Sequence, residues 1–336
     1  MLLCTESMSV AFATRDAIAQ GARLLREGRL VAFPTETVYG LGADAQNVAA
    51  VRRIFAAKGR PEDHPVIVHV ESVEAAEHWA ARMPDGARAL AHAFWPGPLT
   101  IIVPRAIHVP DAVTGGQSSV GLRSPSHPVA RALLSAFGGG IAAPSANRFG
   151  HVSPTTAAHV ADDLGDAVDL ILDGGACDVG IESTIVAFTT DTPMLLRPGG
   201  IGQDAIAAVL GRMPVARDAT APRASGTLSS HYAPRTPASL VPADALRAEL
   251  VQLGERDERV GVLARTSDPP VELDGVWIRA PGDPVSYARM LYANLRALDA
   301  ANADSILIEQ VPDDPAWSAI RDRLARATSG EADDRD

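Results

Sequence analysis

The sequence predicts an α/β protein with a strand-rich first domain, a linker and a smaller open α/β domain. Short apolar runs typical of strands alternate with amphipathic helical periods over most of the chain. The composition changes at residues 212–237, where Pro, Ala, Arg, Ser and Gly occur without a sustained period. A regular alternation of strand and helix patterns then begins again, as a second domain would show. The length of 336 residues fits two domains.

The first domain is predicted over residues 1–211. Its first helix covers residues 16–28, where Ile18, Ala22 and Leu25 recur at helical spacing. An apolar strand over residues 30–33 follows and is stopped by Pro34. Further strands are predicted at 66–70, 98–103, 119–122, 141–143, 170–172, 184–188 and 194–196, and further helices at 48–57, 129–137 and 203–211.

One more helix is predicted from its capping signal. Ser153 is an N-cap residue type, and Pro154 follows it at the first helical position, where its missing N–H is no loss. We therefore expect a helix that opens at this pair and runs to about Leu164.

The second domain is predicted over residues 238–330, after the linker at 212–237. Its strands are expected at 238–241, 260–264, 276–279 and 304–308, and its helices near 243–253, 284–300 and 315–326. This alternation predicts a small open α/β sheet. The acidic residues 331–336 are predicted to be a disordered tail.

Composition narrows the class of protein. The net charge of −11 and the 4% of aromatic residues argue against stable nucleic-acid binding, which needs basic and stacking side chains. Cys4 and Cys177 are too few for a disulfide framework or a structural zinc site. We see no signal peptide and no apolar stretch long enough to cross a membrane, so we expect a cytoplasmic protein with no membrane association.

Lys58 is the only lysine among 30 basic residues, and it lies in Lys58-Gly59-Arg60-Pro61. A lysine ammonium is a compact point charge, whereas arginine carries a planar fork. Two cations that flank a glycine can bind one polyphosphate, because the glycine lets the backbone approach closely. Basic residues also favour helix C-termini, which explains the charge but not the choice of lysine.

Two polar segments follow predicted strands. Residues 34–42 place two threonines, a carboxylate and a phenol within five residues, between Pro34 and Gly40. Ser145 and Asn147 lie two residues apart after the strand at 141–143, so they project on the same side. Both segments suit ligand binding at strand ends. Both could equally be turns whose side chains satisfy local backbone groups.

A third group combines arginine with small polar residues. Glu182-Ser183-Thr184 begins a strand, and Arg123 and Arg197 each end a strand shortly before a proline. An arginine fixed at a strand end suits carboxylate or phosphate binding, although structural arginines would give the same pattern.

Several familiar site types are absent from the sequence. It contains no Walker-type phosphate loop, no dinucleotide-binding glycine pattern and no cluster of histidines and cysteines spaced for a metal. The residues therefore indicate a small anionic ligand, such as a nucleotide, bound without a phosphate loop or a protein-bound metal. They do not by themselves name a reaction.

Together these motifs resemble the YrdC-like family. The resemblance rests on Phe33-Pro34-Thr35-Glu36-Thr37-Val38-Tyr39-Gly40-Leu41-Gly42, Lys58-x-Arg60, Trp95-Pro96-Gly97-Pro98-Leu99-Thr100, Ala143-Pro144-Ser145-Ala146-Asn147 and Glu182-Ser183-Thr184. His231-Tyr232-Ala233-Pro234, followed by a small α/β unit, resembles the long two-domain form of the family. The likeness covers nearly the whole chain. His64 and Val66 depart from it, since the family more often has Asn and Leu there.

The resemblance implies a fold and an activity. The implied fold is an open, twisted mixed sheet, followed by a linker and a smaller Rossmann-like α/β domain. The implied enzyme is a nucleotidyltransferase that joins L-threonine, bicarbonate or CO2, and ATP into threonylcarbamoyl-AMP and pyrophosphate. Mg2+ would be carried with ATP, and a separate transferase would pass the threonylcarbamoyl group to tRNA.

The resemblance also implies roles for residues. Lys58 and Arg60 are the expected catalytic cations and bind ATP, together with Thr114, Ser145, Asn147, Arg197 and Tyr232. The expected threonine-binding residues are Thr35, His69, Arg123 and Ser183, with Arg123 as the partner of the substrate carboxylate. Tyr232, in the linker, corresponds to a position that closes over the nucleotide.

Two other functions would fit parts of the sequence. A non-catalytic RNA-binding module could use the same basic groove, although the charge of −11 weighs against it. A carbamoyl-transfer role of the kind found in larger hydrogenase-maturation proteins would need zinc-binding segments, and the sequence has no cysteine pattern for them.

Overall fold

The computed structural model describes residues 9–329 of the chain. They form two compact units: the first ends at residue 227, and the second comprises residues from 228 onward with the short segments 150–153 and 179–181. The predicted linker at 212–237 is thus divided between the two units. The predicted acidic tail at 331–336 and Cys4 lie outside the described residues.

The first unit contains a mixed sheet with helices on both faces. Its strands are β1 (Ser9–Phe12), β2 (Val31–Pro34), β3 (Tyr39–Asp44), β4 (Ile67–His69), β5 (Leu99–Pro104), β6 (Ser119–Arg123), β7 (Ile141–Ala142), β8 (Leu170–Asp173), β9 (Thr184–Ala187), β10 (Met194–Arg197) and β11 (Val215–Ala216). Its helices are α1 (Arg15–Arg26), α2 (Val48–Lys58), α3 (Val73–Glu77), α4 (Asp85–Phe94), α5 (Asp111–Thr114), α6 (Pro128–Phe137), α7 (Ala157–Leu164) and α8 (Gln203–Leu210).

The order of strands across this sheet is β1-β8-β2-β3-β7-β4-β6-β5-β9-β10-β11. Parallel pairs such as β4 with β6 alternate with antiparallel pairs such as β5 with β6. The mixed sheet expected from the sequence is confirmed. Strand β3, which begins inside the motif at residues 34–42, was not predicted, because its glycines and its aspartate weaken the strand pattern.

The helix expected to open at Ser153 begins later, so that prediction is wrong. Helix α7 starts at Ala157, and its N-cap is Thr156, whose hydroxyl accepts a hydrogen bond from the His159 N–H at 3.3 Å. The carbonyl of Pro154 accepts instead from the Tyr39 N–H at 2.9 Å. This tertiary bond holds Pro154 outside the helix, and Thr156 caps the helix instead of Ser153.

Two apolar layers hold the first unit together. One buried cluster lies around α2, α4 and α7 and includes Ile54, Leu90, Ile101 and Leu122. The other joins α1 and α6 to β2 and β8. Together they cover both faces of the sheet at its centre, which leaves the ends of the strands available to polar residues.

The second unit is a parallel sheet with the order β12-β15-β13-β14. Its elements are β12 (Ala238–Val241), α9 (Leu246–Gly254), β13 (Val260–Ala264), β14 (Gly275–Arg279), α10 (Pro284–Asp299), β15 (Ser305–Glu309) and α11 (Ser318–Thr328). The predicted small α/β sheet is confirmed, with strand bounds within one residue of those expected. Within residues 9–329, no helix is long and apolar enough to cross a membrane.

Candidate functional site

Sheet register brings several predicted site residues into one row of the first unit. His69 and Arg123 are paired residues of β4 and β6. In the antiparallel pair of β5 and β6, Ile101 lies opposite Leu122, so Thr100 comes next to Arg123. Thr100 pairs with Ile185 of β9, which pairs with Arg197 of β10. Paired residues in a sheet project on the same face. Residues separated by many tens of positions in the chain therefore share one surface.

An irregular segment of the first unit, residues 217–227, lies on this face. Ala221 and Ala224 pack on an apolar cluster that includes Ile102 and Ile185. Its Arg223 forms an ion pair with Asp63 at 3.1 Å. We call residues 217–227 the covering segment.

Lys58 holds the segment that carries Ser145 and Asn147. It is the last residue of α2, and Gly59 caps the helix with a left-handed φ of 63°. The ammonium donates to the carbonyl of Ser145 at 2.6 Å, to the carbonyl of Asn147, and to Asn147 Oδ1 at 3.4 Å. Lys58 is thus directly bonded to both Ser145 and Asn147, the other two residues of the predicted ATP-binding signature.

The ammonium of Lys58 is almost fully buried, with 3% of the residue exposed. Burial, followed by the charge of Arg60, holds the pKa of Lys58 well below its usual 10.5. Its three hydrogen-bond partners are uncharged oxygens, so they satisfy its N–H groups without neutralising its charge. Asp163 acts on it electrostatically and raises the pKa, but burial and Arg60 outweigh this effect. Such a buried charge attracts an anion more strongly than an exposed one does.

Arg60 lies on the same side of the first unit. Its Nη2 donates to the carbonyl of Pro65 at 2.8 Å and to the hydroxyl of Ser225 at 3.4 Å. Its guanidinium carbon lies 5.6 Å from the centre of the Phe149 ring, a cation–π distance. Arg60 is therefore held by uncharged groups that come partly from the covering segment.

Arg197 and Ser183 contact each other directly. The Nε and Nη2 of Arg197 donate to the carbonyl of Ser183 at 3.1 and 3.0 Å, and Nη2 also donates to the Ser183 hydroxyl at 3.2 Å. Nη1 donates to the carbonyl of Ser225 at 2.8 Å. The hydroxyls of Ser183 and Thr100 lie 2.7 Å apart. Arg197, which is predicted to bind ATP, and Ser183, which is predicted to bind the substrate threonine, are therefore in direct contact.

Thr114 ends the short helix α5. Its hydroxyl accepts from Arg105 Nη1 at 3.2 Å and donates to the Asp111 carbonyl at 3.4 Å. The next residue, Gly115, lies so close to Asp63 that an added Cβ would stand 2.1 Å from its carbonyl oxygen. Thr114 thus borders the loop that follows Arg60, but its side chain is committed to α5 and Arg105.

Arg123 is held on three sides. Its Nη2 donates to Glu36 Oε1 at 2.7 Å, its Nη1 donates to Thr37 Oγ1 at 2.8 Å, and its Nε donates to the Gly97 carbonyl at 3.3 Å. Glu36 Oε2 accepts from the Ser126 N–H at 3.0 Å. Burial alone would raise the pKa of Glu36, but Arg123 and the Ser126 N–H hold it below 4.5.

Thr35 shapes the turn between β2 and β3. Its hydroxyl donates to the Val38 carbonyl at 2.7 Å and accepts from the N–H groups of Thr37 and Val38, both at 3.2 Å. Thr37 Oγ1 lies 2.8 Å from the same hydroxyl. The Thr35 side chain is therefore used within the turn, next to Arg123.

His69 is buried beside Arg123. Burial and the charge of Arg123 lower the pKa of His69 to about 3, although Glu36 acts in the opposite direction. The imidazole is therefore neutral at physiological pH. Within the described residues its buried Nδ1 has no hydrogen-bond partner, and such an atom favours a polar ligand.

Tyr232 belongs to the second unit. It is buried with a left-handed φ of 64°, its ring centre lies 5.7 Å from that of Tyr292, and Arg323 stands 5.3 Å from its centre. Its role at the nucleotide stays a prediction.

Four cations, Lys58, Arg60, Arg123 and Arg197, are thus buried in the first unit of a protein with a net charge of −11. Buried charges are costly unless they are bonded, and each of these is bonded. Over residues 9–329 no group of three or more His, Cys, Asp or Glu side chains is arranged to hold a metal ion. The arrangement suits a small polyanion with a second, carboxylate-sized group near Arg123.

Three residues of this arrangement were not assigned from the sequence: Glu36, Thr37 and Ser225. Glu36 and Thr37 carried a signal, since a carboxylate between two threonines follows an apolar strand. Ser225 lies in a stretch with a linker composition, and no local pattern indicates its contacts with two arginines.

Two family models match the chain. The Sua5–YciO–YrdC model, described as telomere recombination, matches residues 23–199. The Sua5 C-terminal model, described as the C-terminal domain of threonylcarbamoyl-AMP synthase, matches residues 201–329.

Relatives and solved structures match over nearly the full length. A threonylcarbamoyl-AMP synthase of Pyrococcus abyssi is 40% identical, over 96% of this chain and 98% of the relative. One from Bacillus subtilis is 41% identical over 93% of both chains. The crystal structure of P. abyssi Sua5 complexed with L-threonine superposes with a TM-score of 0.87 at 37% identity, over 96% of this chain and 97% of that one.

Proposed function

The chain belongs to the Sua5–YciO–YrdC family, and from this premise we propose that it is a threonylcarbamoyl-AMP synthase. It joins L-threonine, bicarbonate or CO2, and ATP, and it releases pyrophosphate, which makes it a nucleotidyltransferase. The observation that carries the proposal is the full-length likeness to relatives with this name, one of which has a structure with L-threonine.

The reaction has two bond-forming steps. The neutral amine of threonine attacks CO2, an N–C bond forms as one C=O π bond breaks, and the nitrogen transfers a proton to water or bicarbonate to give a carbamate. A carbamate oxygen then attacks the α-phosphorus of ATP, a new P–O bond forms, and pyrophosphate leaves with the electrons of the broken P–O bond. Negative charge develops on the phosphate oxygens in the second step.

We assign Lys58, Arg60 and Arg197 to this charge, with Ser145, Asn147 and Thr114 beside the nucleotide. The three cations are fixed before the reaction by hydrogen bonds to Ser145, Asn147, Pro65, Ser183 and Ser225. Fixed charges that need no reorganisation stabilise a transition state more than a mobile solvent does. Mg2+ carried with ATP would add charge on the triphosphate, as it does where phosphates and water supply its ligands.

We assign the threonine to the region around Arg123, His69, Ser183 and Thr35. Arg123 receives the carboxylate, because a guanidinium fork matches a carboxylate. The neutral His69 offers its buried Nδ1 to a polar group of the amino acid. The product would pass to a separate tRNA threonylcarbamoyl transferase.

Pyrophosphate release from ATP tests the proposal. The purified full-length chain is assayed with Mg2+ and bicarbonate, and L-threonine is compared with L-valine, L-serine and no amino acid. We expect release that requires both L-threonine and bicarbonate. A folded protein whose release is independent of threonine would contradict the proposal, and salt-dependent RNA binding would then be measured in its place.

A further inference from the structure

The turn between β2 and β3 supplies two groups that hold Arg123. Both terminal nitrogens of the guanidinium are bonded there: Nη2 to the Glu36 carboxylate at 2.7 Å and Nη1 to the Thr37 hydroxyl at 2.8 Å. All three residues are buried. The head group therefore has one defined orientation.

Glu36 is itself anchored at its other oxygen. Oε2 accepts from the backbone N–H of Ser126, three residues after Arg123, at 3.0 Å. The carboxylate thus ties the end of β6 to the β2–β3 turn through two bonds. Its lowered pKa keeps it ionised at neutral pH, so it also offsets the buried charge of Arg123.

The hydrogen atoms of the Thr37 contact can be assigned. Arg123 donates to Thr37 Oγ1, and the Thr35 hydroxyl uses its hydrogen for the Val38 carbonyl. The hydrogen between the two threonine oxygens, which lie 2.8 Å apart, therefore belongs to Thr37. Thr37 accepts from Arg123 and donates to Thr35, so its orientation is fixed by both neighbours.

These bonds leave part of the guanidinium for a ligand. Arginine has five N–H groups, one on Nε and two on each terminal nitrogen. The contacts to Glu36, Thr37 and Gly97 use one N–H on each of the three nitrogens. One N–H on Nη1 and one on Nη2 are not used by these bonds, and two N–H groups are what a carboxylate needs for two parallel hydrogen bonds.

We propose that Glu36 and Thr37 are positioning residues for the amino-acid substrate, which hold Arg123 in the orientation that receives the substrate carboxylate. This inference rests on the proposed function, because it needs an amino acid as the ligand of Arg123. Neither residue touches the substrate. Their loss weakens threonine binding and leaves ATP binding unchanged, since Lys58, Arg60 and Arg197 are held by other groups.

Glu36→Gln is the first variant. Glutamine has nearly the same shape, and its oxygen can still accept from Arg123. Its amide nitrogen then faces the Ser126 N–H, so two donors meet and the second anchor is lost. Removal of a group that orients a metal ligand typically costs about 10- to 100-fold in metal affinity, and by analogy we expect a rise of that size in the Kd of L-threonine.

Thr37→Val is the second variant, and it keeps the proposal testable if the glutamine variant does not fold. Valine has the volume of threonine, but it accepts no hydrogen bond and alters no buried charge. A lost neutral hydrogen bond corresponds to a rise of about 3- to 10-fold in the Kd of L-threonine.

Asp169→Asn is the matched control. Asp169 has the same architecture at the opposite end of β2: it accepts from Arg29 Nε and Arg53 Nη2, both at 3.0 Å, and from the Leu30 N–H at 2.7 Å. The change removes an arginine-bound carboxylate from the same unit. We expect a lower Tm and an unchanged Kd for L-threonine.

The experiment measures the Kd of L-threonine and of ATP separately by calorimetry on the full chain, with pyrophosphate release in parallel. Arg123→Gln is added alone and together with Glu36→Gln. If Glu36 acts through Arg123, its substitution has no further effect on threonine affinity once Arg123 is changed. A purely structural role would lower Tm and affect both ligands alike.

Each result is decisive. Selective loss of threonine affinity in either variant, absent in the Asp169 control and absent on the Arg123→Gln background, supports the inference. Unchanged threonine affinity in the folded variants, or equal losses for both ligands, overturns it. A wild-type protein that shows no threonine-dependent pyrophosphate release overturns the proposed function itself, before any variant is compared.

Discussion

Lys58 and Arg123 are two buried cations in the same unit, and they are stabilised in opposite ways. Lys58 is bonded to three uncharged oxygens, from Ser145 and Asn147. Arg123 is bonded to the carboxylate of Glu36. The first cation has no carboxylate among these hydrogen-bond partners and has a lowered pKa, whereas the second belongs to an ion pair.

The difference teaches that burial serves two purposes in one site. The ammonium of Lys58 is not paired with a carboxylate through a hydrogen bond, so it can stabilise the negative charge that develops on a phosphate. The charge of Arg123 is already balanced by Glu36, so this residue contributes a defined orientation of its hydrogen-bond donors. We therefore expect substitutions at Lys58 to affect rate, and substitutions around Arg123 to affect stability and substrate affinity.

The largest expected effect follows Lys58→Arg. The ammonium lies 2.6 Å from the Ser145 carbonyl in a setting where 3% of the residue is exposed, and a guanidinium is too large for that position. We expect kcat to fall by about 1,000-fold, the upper end of the effect seen when one transition-state donor is removed. Steady-state pyrophosphate release measures it.

Arg52→Lys on the same helix is the control, since its side chain is 62% exposed and the change leaves the site intact. Wild-type turnover in Lys58→Arg would remove the distinction between the two cations, because a delocalised fork would then serve as well as a point charge.

A smaller effect concerns the acid stability that Glu36 provides. Its pKa is lowered in the folded chain, so its contribution is present above the unfolded value of 4.5 and is lost as pH falls through the folded value. At pH 7 we expect Glu36→Gln to lower the free energy of unfolding by about 3 kcal/mol, because it leaves the Arg123 charge uncompensated. Urea titrations of the wild-type and Glu36→Gln proteins, at pH 7 and at decreasing pH, measure the difference between their free energies of unfolding.

The difference in free energy of unfolding should narrow as the wild-type Glu36 carboxyl becomes protonated, since the glutamate and glutamine side chains are then both neutral. A difference that stayed constant from pH 7 into the acid range would show that shape alone matters at position 36, and the contrast with Lys58 would fail.

The smallest effect is a shift in the alkaline limb of the rate profile. Because the pKa of Lys58 lies well below 10.5, the ammonium is lost as pH rises through that lowered value. We expect kcat at saturating substrates to decline before pH 10.5, and the residual activity of Lys58→Arg to lack this decline because arginine does not titrate there. An identical decline in both proteins would assign it to another group.

The fold was predicted best where local patterns are regular. The four strands of the second unit were placed within one residue, because each is a short apolar run between helical periods. The start of α7 was misplaced at Ser153, because a bond from Tyr39 to Pro154 holds that segment outside the helix and Thr156 forms the cap. Such a tertiary bond has no local sequence signature.

The individual motifs of the site were predicted from the sequence, but their spatial arrangement was not. The motifs that carry Lys58, Ser145 and Arg123 could be identified from residue types and spacing. That His69, Arg123 and Arg197 share one row of the sheet depends on strand order and register, which the sequence pattern does not determine. The supporting role of Glu36 was missed for the same reason, since its partner lies 87 residues away.

A single lysine also makes the chain unusually easy to label. Reagents that acylate or reductively alkylate amines have one side-chain target here, Lys58, besides the α-amino group. Its burial makes that target slow to react, and its lowered pKa supplies more of the reactive neutral amine at a given pH. Isotopic labelling of lysine alone during expression would place one lysine side-chain signal in an NMR spectrum, at the position where the nucleotide is expected, and would leave the hydrogen bonds of the ammonium intact. The chain thus provides its own spectroscopic reporter of occupancy, without an engineered tag.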